Sequence, residues 1–539
     1  MYPISPSEHL IESRICKKCQ TSFPITDIDQ QFLDRLAPIV ASQKISLPFP
    51  TLCPMCRKLA RLAWRNEKKL YKRKCDGTGK DMISLFPPTA ENPIYSTEYW
   101  NSNSWDAKKY GKDFDPSAWF FDQFGELMKQ VPLPGTSIWP WVENSEYSWA
   151  CSWITDCYLT FSAQEAEKVH YSVDVVGCKD SMDCLGIMNS QNCYECIEVY
   201  DSYDIMYSYN VKNSRNSRFL LDCDGCSDCY GCISMTNMSF CLYNTPYSAS
   251  EYKAKLAEIL KLSMSQQKWI FKEFSIWKYQ KKPLPNTWSE NVIECENVID
   301  SKNISFSRHI RGGEDIRHSQ KIQVPKAELC MDSTSIGNNA SRIYSTYQGF
   351  HNAHNIYFSA GNFHEVSHLF YSAYCRNWVN NCFGCVGLRH GESYCILNKQ
   401  YTKESYESLV LKIIEHMVKN SEWGEFFPAS LSPIGYTDSV CQILYPLSRS
   451  EAIQFGYRWS EYEAPFPTVS KIIPASKLPE DIRDIPDDIL NWAIECEMTK
   501  KPFRIMKSEL EFYRKHALPI PRNHPDQRYL DRLAWHMNY

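Results

Sequence analysis

Residues 184–232 read CLGIMNSQNCYECIEVYDSYDIMYSYNVKNSRNSRFLLDCDGCSDCYGC. Short apolar or cysteine-containing runs recur in this stretch, separated by Asn, Ser, Asp and Gly, which favour turns. Across a wider region the recurring positions are Cys157, Tyr171, Cys184, Cys193, Ile205, Phe219, Cys229 and Cys241. Short strands at such steps predict a solenoid in which each repeat stacks on its neighbours.

A second and more even series lies between Ser301 and Asn398, with steps of 12 to 14 residues. Both series end alike, because Cys-Tyr-Gly-Cys at 229–232 recurs as Cys-Phe-Gly-Cys at 382–385. An amphipathic helix is predicted after each series, at 251–261 and 404–417, where it would cover the open last strand. We therefore predict two tandem β-helix-like repeat arrays, each capped by a helix. The positions of the second series are Ile304, Ile316, Leu329, Ile343, Ile356, Leu369, Cys382 and Tyr394.

The size of one coil follows less directly from the repeat. A coil of a single repeat would be very thin, so two repeats per coil, roughly 26 residues, is the favoured prediction. The coil size decides whether four histidines lie close together. With one repeat per coil, histidines one repeat apart would stack on one another. With two repeats per coil, they would lie on opposite walls. Turn or surface histidines are the ordinary interpretation, and a metal or acid–base role is the alternative. The four are His351, His354, His364 and His368.

Four cysteines near the N-terminus have the spacing of a metal site. Cys16 and Cys19 form one Cys-x-x-Cys pair, and Cys53 and Cys56 form another. Four thiolates are the donor set that tetrahedral Zn(II) prefers in a closed structural site. We predict one structural Zn(II) ion, with a helix between the pairs that begins at the N-cap Thr26. The alternative is four buried cysteines without a metal.

The same segment resembles a family of small bacterial domains, the probable zinc ribbons. Their pattern is Cys-x-x-Cys, a Phe, a short helix, then Pro and Cys-Pro-x-Cys-Arg. The resemblance covers residues 16–57 and implies a zinc-ribbon or treble-clef-like module, but no particular function. The matching residues are Cys16, Cys19, Phe23, Phe32, Pro50, Cys53, Pro54, Cys56 and Arg57.

A strongly basic segment follows the second cysteine pair. Residues 57–74 read RKLARLAWRNEKKLYKRK, and the pattern predicts a basic helix. Such a helix can supply the salt-dependent part of nucleic-acid affinity. The alternative is a solvated helix that packs on the more acidic remainder of the chain, whose net charge as a whole is −4. The basic residues are Arg57, Lys58, Arg61, Arg65, Lys68, Lys69, Lys72, Arg73 and Lys74.

The C-terminus repeats the N-terminal pattern in degenerate form. From Cys496 onward the sequence aligns with the first module, but Thr499, His524 and Gln527 replace three of its four cysteines. Cys496 and His524 alone cannot close a structural zinc site, so we expect no metal in this copy. Its helix is predicted to begin at the N-cap Ser508.

Two further cysteine motifs are less decisive. CDGTGK at 75–80 is a partial third echo of the first cysteine pair. The run Cys223, Cys226, Cys229 and Cys232 invites comparison with iron–sulfur ligands, but it lacks the spacing and the proline of the ferredoxin pattern. Small inward positions of a solenoid are the favoured interpretation of this run, and a second metal or cluster is the alternative.

The bulk composition is that of a multidomain globular protein. The chain has 539 residues, 43% of them hydrophobic and 23% charged. We predict a multidomain α+β fold of six segments. They are a zinc-binding module with a basic helix (1–85), a tryptophan-rich linking region (86–150), the first array with its helix (151–285), the second array with its helix (286–425), a further linking region (426–490) and the degenerate copy of the zinc module (491–539).

The expected compartment is the cytoplasm. No apolar run approaches the roughly 20 residues of a membrane-spanning helix, and the N-terminus lacks the basic start and apolar stretch of a secretory signal. Free thiols and no membrane partner are therefore expected.

No catalytic motif is recognisable, because phosphate loops, dinucleotide fingerprints and the common hydrolase and metalloprotease motifs are all missing from the sequence. We therefore expect a zinc-stabilised repeat scaffold that binds a macromolecular partner, a protein or possibly a nucleic acid, without catalysis. The second hypothesis is nucleic-acid binding through 57–74. The third is a β-helix polysaccharide hydrolase or lyase, with acids drawn from Asp174, Asp180, Asp183 and Glu195.

Overall fold

The computed structural model describes residues 8–66, 68–136, 141–278 and 366–538 apart from 464 and 467, together with Ile4 and short stretches between 299 and 361. The chain divides into two compact units. Unit 1 consists of Met1–Gly135 and Lys282–Tyr462, and unit 2 consists of Thr136–Lys281 and Glu463–Tyr539. Each unit combines β-solenoid coils with helices and short strands, so the fold is mixed α and β.

The first solenoid, residues 141–246 of unit 2, is built of short parallel strands. Val173 pairs with Leu185, and Leu185 pairs with Ile197, so one coil contains 12 residues. The strands are Val142–Glu143, Ser152–Thr155, Phe161–His170, Val173–Val176, Lys179–Met182, Leu185–Met188, Ile197–Tyr200, Tyr203–Met206, Tyr209–Lys212, Arg215–Arg218, Leu221–Asp224 and the closing hairpin Cys241–Leu242 with Thr245–Pro246.

The chain turns after every third residue of this solenoid. Positive φ angles recur at Asp174, Gly177, Asp180 and Asp183, and they continue at the same spacing to Tyr243. Gly, Asn and Asp occupy many of these positions because they adopt the left-handed conformation at low cost. Four such three-residue sides make one coil.

The residue after each turn points into the solenoid. In one stretch these inward residues are Val175, Cys178, Ser181, Cys184 and Ile187, and all five are buried. Throughout the solenoid the buried interior is made of Cys, Ser, Thr, Ala, Val, Ile and Leu. A coil of 12 residues encloses very little space, so only small side chains fill it without clash, and cysteine serves as one of them.

Inward serines join successive coils. The Ser202 hydroxyl donates to the Tyr200 carbonyl oxygen at 2.7 Å and accepts from the Ser214 N–H at 3.1 Å. The Ser214 hydroxyl repeats this one coil later, because it donates to Lys212 at 2.7 Å and accepts from the Cys226 N–H at 3.0 Å. These hydroxyls satisfy buried N–H groups that the strand pairing leaves without an acceptor.

The predicted coil of two repeats is wrong, because one repeat makes one coil. The second solenoid, within residues 299–400 of unit 1, agrees on this point with a longer step of 13 residues between Leu369, Cys382 and Cys395. Its strands are Ile299–Lys302, Ile310–Glu314, Lys321–Gln323, Leu329–Cys330, Ser335–Ile336, Arg342–Ile343, Ser367–Phe370, Asn380–Phe383, Ser393–Ile396 and Lys399–Gln400.

Both solenoids end in the same way. The Asn244 side chain accepts from the Ile233 N–H at 2.7 Å and donates to its carbonyl oxygen at 2.9 Å. Asn398 does the same with Val386, at 2.8 Å in both directions. A hairpin and then a helix follow in each case, Ala249–Ile259 in unit 2 and Lys403–Lys419 in unit 1. Helices thus stand at the two places where the sequence predicted them.

The remaining elements are short. The other helices are Asp27–Leu36, Pro54–Leu62, Thr97–Asn101, Phe120–Gln130, Val440–Leu444 and Arg449–Gln454 in unit 1, and Met264–Lys278, Lys507–Lys515 and Pro525–Asn538 in unit 2. The other strands are Leu10–Ile15, Ser22–Thr26, Ile39–Val40, Gln43–Lys44, Tyr71–Lys74, Asp81–Ser84, Ile94–Tyr95 and Leu133–Pro134 in unit 1, and Lys471–Pro474, Trp492–Glu495 and Pro502–Phe503 in unit 2.

The helix Phe120–Gln130 anchors the second solenoid in the core of unit 1. The ring of Phe120 contacts that of Phe383 at a centroid distance of 5.2 Å. The buried carboxylate of Glu422 accepts from the N–H groups of Phe120 and Phe121 at 3.1 and 2.9 Å. A carboxylate at this position is stabilised by the positive end of the helix dipole.

We expect Ser214→Ala to lower the free energy of unfolding of unit 2 by about 1–3 kcal/mol, because the Cys226 N–H loses its partner in a dry interior. Urea unfolding followed by circular dichroism measures the change. Ser239→Ala is the matched control, since Ser239 is exposed and its hydroxyl meets only that of Ser227. Equal effects of the two substitutions would contradict the role of the inward serines.

Candidate metal centre and buried ion-pair network

The four cysteines predicted as metal ligands come together. Their Sγ atoms all lie within 4.8 Å of one another, and those of Cys19 and Cys53 are 3.6 Å apart. Tetrahedral Zn–S bonds of about 2.3 Å place sulfurs roughly 3.8 Å apart. The geometry therefore fits one metal ion held by Cys16, Cys19, Cys53 and Cys56. Among the described residues this is the one group of Cys, His, Asp or Glu that meets such a distance limit.

A tight turn shapes the first half of the site. The Cys16 N–H donates to the Thr21 carbonyl oxygen at 3.0 Å, and the Gln20 N–H donates to the Cys16 carbonyl oxygen at 3.0 Å. Gln20 has a φ of 60°, the left-handed conformation that closes the turn. The Cys53 N–H donates to the Cys16 sulfur at 3.3 Å and so joins the two cysteine pairs.

A helix terminus shapes the second half. Cys53 is the N-cap of the helix Pro54–Leu62, and Cys56 lies in its first turn. The positive end of the helix dipole stabilises negative charge at both sulfurs. Cys16, Cys53 and Cys56 are buried, as expected for a closed structural site. The N-cap prediction for Thr26 is also confirmed, since its hydroxyl accepts from the Asp29 N–H at 3.3 Å.

The predicted basic helix over 57–74 is wrong. The helix ends at Leu62, and Tyr71–Lys74 is a strand paired with Asp81–Ser84. The buried side chain of Asn66 turns the chain between the two elements, because it binds both the N–H and the carbonyl oxygen of Lys69, at 2.9 and 2.8 Å. A side chain that bonds the backbone in this way competes with helix formation.

The basic residues of this segment are largely engaged within unit 1. Arg57, Arg61 and Arg65 are buried, with 7%, 1% and 3% of their surface exposed. Three others form ion pairs, Lys69 with Asp438 at 3.0 Å, Arg73 with Asp76 at 2.9 Å and Lys74 with Asp81 at 3.3 Å. The Lys58 ammonium lies 5.3 Å from the ring centre of Tyr445, Lys68 is half-buried and Lys72 is exposed.

A second turn, at Cys496, repeats the hydrogen bonds of the turn at Cys16. The Cys496 N–H donates to the Lys501 carbonyl oxygen at 3.0 Å, and the Lys500 N–H donates to the Cys496 carbonyl oxygen at 3.1 Å, with a φ of 58° at Lys500. The Thr499 N–H donates to the Cys496 sulfur at 3.4 Å. The predicted N-cap Ser508 is wrong, because the helix Lys507–Lys515 has Met506 as its N-cap, two residues earlier.

A third such turn lies at Cys75. Its N–H donates to the Lys80 carbonyl oxygen at 2.8 Å, and its sulfur accepts from the Ser96 N–H at 3.2 Å. Burial raises the pKa of this thiol, but hydrogen bonds from Thr78 and from the Ser96 N–H outweigh burial and hold the pKa below its ordinary value. The local structure that favours a thiolate is thus retained where the other three ligands are missing.

A network of buried charges in unit 2 joins the C-terminal helix to the first solenoid. Arg528 forms an ion pair with Asp183, and Arg532 reaches the same carboxylate at 3.0 Å. Arg528 also lies 3.5 Å from Glu509, which accepts hydrogen bonds from the hydroxyls of Tyr171 at 3.0 Å and Tyr513 at 2.8 Å. The four charged side chains are at most 7% exposed. Burial raises the pKa of Glu509, although Arg528 and the Tyr513 hydroxyl favour its charged form.

Sequence reasoning missed this network, although a signal was present. RYLDRLAW at 528–535 aligns with RKLARLAW at 57–64. Both segments bury their two arginines, Arg528 and Arg532 in one case and Arg57 and Arg61 in the other. Counting these residues as surface charge pointed to nucleic acid, whereas their repetition at equivalent positions indicates a shared packing role.

The cysteine run of the first solenoid is part of its interior. Its four members occupy successive inward positions of one coil and are at most 2% exposed. The Cys223 thiol lies 3.5 Å from the Leu221 carbonyl oxygen and 3.5 Å from the Cys232 carbonyl oxygen, and both are hydrogen-bond acceptors for it. Elsewhere in the solenoid, burial raises the pKa of Cys184 and Cys196 well above the ordinary thiol value. These contacts agree with the interpretation of the run as small inward residues.

The residues considered for acid–base chemistry are scattered. Asp183 is buried between two arginines, and Glu195 is paired with Lys268 at 2.8 Å. Asp174 and Asp180 occupy turn positions. Of the histidines, His368 is exposed, while His351, His354 and His364 lie outside the described residues.

Comparison of the chain with protein-family models, with curated proteins and with solved structures gave no match. In the part of the chain that the structure describes, no helix has the length and apolar character needed to cross a bilayer.

We expect Arg528→Met to destabilise unit 2 by about 3–5 kcal/mol, because it leaves buried carboxylates short of a counter-charge. Arg514→Met is the matched control. Arg514 pairs with Asp487 at the surface, where both side chains are at least 40% exposed, and its loss should cost about 1 kcal/mol or less. Thermal unfolding of the full chain measures both, and a control as damaging as the buried substitution would contradict the importance of the network.

Proposed function

We propose that the four-cysteine group holds one structural Zn(II) ion in a zinc-ribbon module. The donor set supports this choice, because four thiolates in a closed site favour zinc or iron over the oxygen-seeking ions. Zinc would fix the two halves of the module, which are also joined by a hydrogen bond of 3.1 Å from the Lys17 N–H to the Thr51 carbonyl oxygen. Ligation by Cys16, Cys19, Cys53 and Cys56 leaves no open position for catalysis.

Elemental analysis of protein purified without chelator should find about one zinc per chain, lost in Cys53→Ser with Cys56→Ser. Cys223→Ser with Cys226→Ser is the matched control and should keep the zinc, because those cysteines belong to the solenoid interior. Iron in place of zinc, or zinc retained by the first variant, would contradict the proposal.

Two internal duplications support a repeat scaffold. The turns at Cys75 and Cys496 share hydrogen bonds with the turn at Cys16, so we regard the C-terminal module as a degenerate copy that has lost its metal. The shared asparagine caps at Asn244 and Asn398 favour an origin of the two solenoids as tandem arrays. Both duplicated features, the cysteine turns and the asparagine caps, stabilise the fold. We therefore favour a binding protein over an enzyme.

We propose that the protein is a zinc-stabilised scaffold that binds a protein partner through the first solenoid. The observation that carries this proposal is an open groove of about 480 Å³ along one corner of the coils. The ring of Tyr203 is half exposed there. Columns of side chains one coil apart flank the groove, Asn189, Asp201 and Asn213 on one side and Gln191, Tyr203 and Arg215 on the other.

The charge of the groove favours a protein over a nucleic acid. It contains one acid, Asp201, and one base, Arg215. Nucleic-acid surfaces need several cations, because counterion release provides much of their affinity. The burial of Arg57, Arg61 and Arg65 removes the alternative cationic surface that the sequence suggested. A glycan hydrolase is less favoured too, since it needs two cooperating carboxyl groups and the groove offers one.

The cytoplasm remains the proposed compartment. All described cysteines are free thiols, and most of those in the solenoid point into an interior that disulfide formation would distort.

A photo-crosslinking residue, p-benzoylphenylalanine, tests the groove. Placed at Tyr203 in the full chain within its own cells, it should give discrete adducts that are sensitive to protease but not to nuclease. The matched control is the same residue at Glu165, which is exposed outside the groove. Asn213→Trp should abolish the adducts by blocking the groove. Identical adducts from both positions, or none from Tyr203, would contradict the proposal.

A further inference from the structure

We propose that unit 2 contains a binding site for a small molecule that has a planar aromatic part and an anionic group. The site is a cavity of about 490 Å³ lined by the first solenoid, the helix Met264–Lys278 and the C-terminal helix Pro525–Asn538. Small-molecule pockets typically measure roughly 300–1,000 Å³. The cavity shares no lining residue with the groove, so this inference does not depend on the proposed function.

Aromatic rings from the solenoid form one wall of the cavity. Tyr194, Tyr207 and Phe219 line it and are 2%, 8% and 2% exposed. The rings of Tyr207 and Phe219 stack with centroids 5.0 Å apart and planes 12° apart. A planar aromatic ligand can pack against this apolar wall, because aromatic rings favour edge-to-face and offset contacts with one another.

The helix Met264–Lys278 continues this wall. The ring of Phe271 is 5% exposed and contacts that of Phe219, with centroids 5.3 Å apart. Ser275, which is 4% exposed, also lines the cavity, and Lys272 lies exposed on the same helix. An aromatic ligand would therefore meet a continuous row of rings and a cation at the edge.

The charges around the cavity favour an anion. Five basic and three acidic side chains line it. Arg532 is 7% exposed, and its Nε has no hydrogen-bond acceptor among the described residues, although its Nη1 pairs with Asp183. Lys272 makes no ion pair with any residue that the structure describes. A carboxylate, sulfonate or phosphate in the cavity would gain a charge-assisted hydrogen bond from either group.

Two fluorescent probes with the same ring system test the inference. Anilinonaphthalene sulfonate carries an anion, and N-phenylnaphthylamine does not. In titrations of the full chain the sulfonate should bind at one site with a Kd about tenfold lower than that of the neutral probe. Ser275→Phe should abolish binding of both probes by filling the cavity.

A charge reversal keeps the test valid if Ser275→Phe does not fold. Lys272→Glu should weaken the sulfonate about fivefold and leave the neutral probe unchanged, as expected for loss of a rim cation. Lys253→Glu is the matched control, because Lys253 is exposed on the helix Ala249–Ile259 and does not line the cavity. Equal affinity for both probes, or sulfonate binding that Lys272→Glu leaves unchanged, would overturn the inference.

Discussion

The interior of a 12-residue coil is the constraint on which unit 2 depends. Its inward positions accept only small side chains, and the backbone groups around them must find partners without water. Serine meets both demands, because the Ser202 hydroxyl bonds its own coil and the next one. Cysteine fills the same space with a weaker donor, as the Cys196 thiol does toward the Tyr194 and Ile205 carbonyl oxygens. The high cysteine content is therefore a consequence of coil size.

This constraint moves specificity to the outside of the coils. Similar small residues line every face of the interior, so the inward residues do not make one face of the solenoid different from another. The side chains at the turn positions make that difference. Asn and Asp at these positions link neighbouring coils, as Asn189 and Asp201 do at 3.0 Å. In the column that contains Asp183, the aromatic residues Tyr171, Tyr207 and Phe219 occupy other turn positions at positive φ. Tyr171 and Asp183 of this column bind the C-terminal module.

The sequence predicted the local features better than the spatial ones. The two cysteine pairs and Thr26 were located correctly because zinc ligands and helix caps are fixed by spacings of two or three residues. The coil size was predicted wrongly because strand spacing does not show how many repeats close a turn. The inward positions do indicate a narrow coil, because Val175, Cys178 and Ser181 recur every third residue and are too small to fill a wide core.

The basic segment shows why composition alone misled. Nine positive charges in 18 residues indicate an exposed cationic surface only if the chain keeps them on one accessible face. Asn66 turns the chain, so the charges do not lie along one helix face. The three arginines before it are buried and do not contribute to a cationic surface. The ion pair of Arg528 with Asp183 depends on a contact across 345 residues, which no local pattern encodes.

The turn at Cys496 shows that the turn of the metal centre can form around a single cysteine. A small module of this kind usually needs its metal because its own core is too small to be stable. At Cys496 the turn is held by backbone hydrogen bonds and by a hydrogen bond from the Thr499 N–H to the sulfur, and the helix Pro525–Asn538 buries Arg528 and Arg532 against the solenoid. Docking against the solenoid thus stabilises this segment. The N-terminal module keeps four cysteines within reach of one ion as well as its buried arginines.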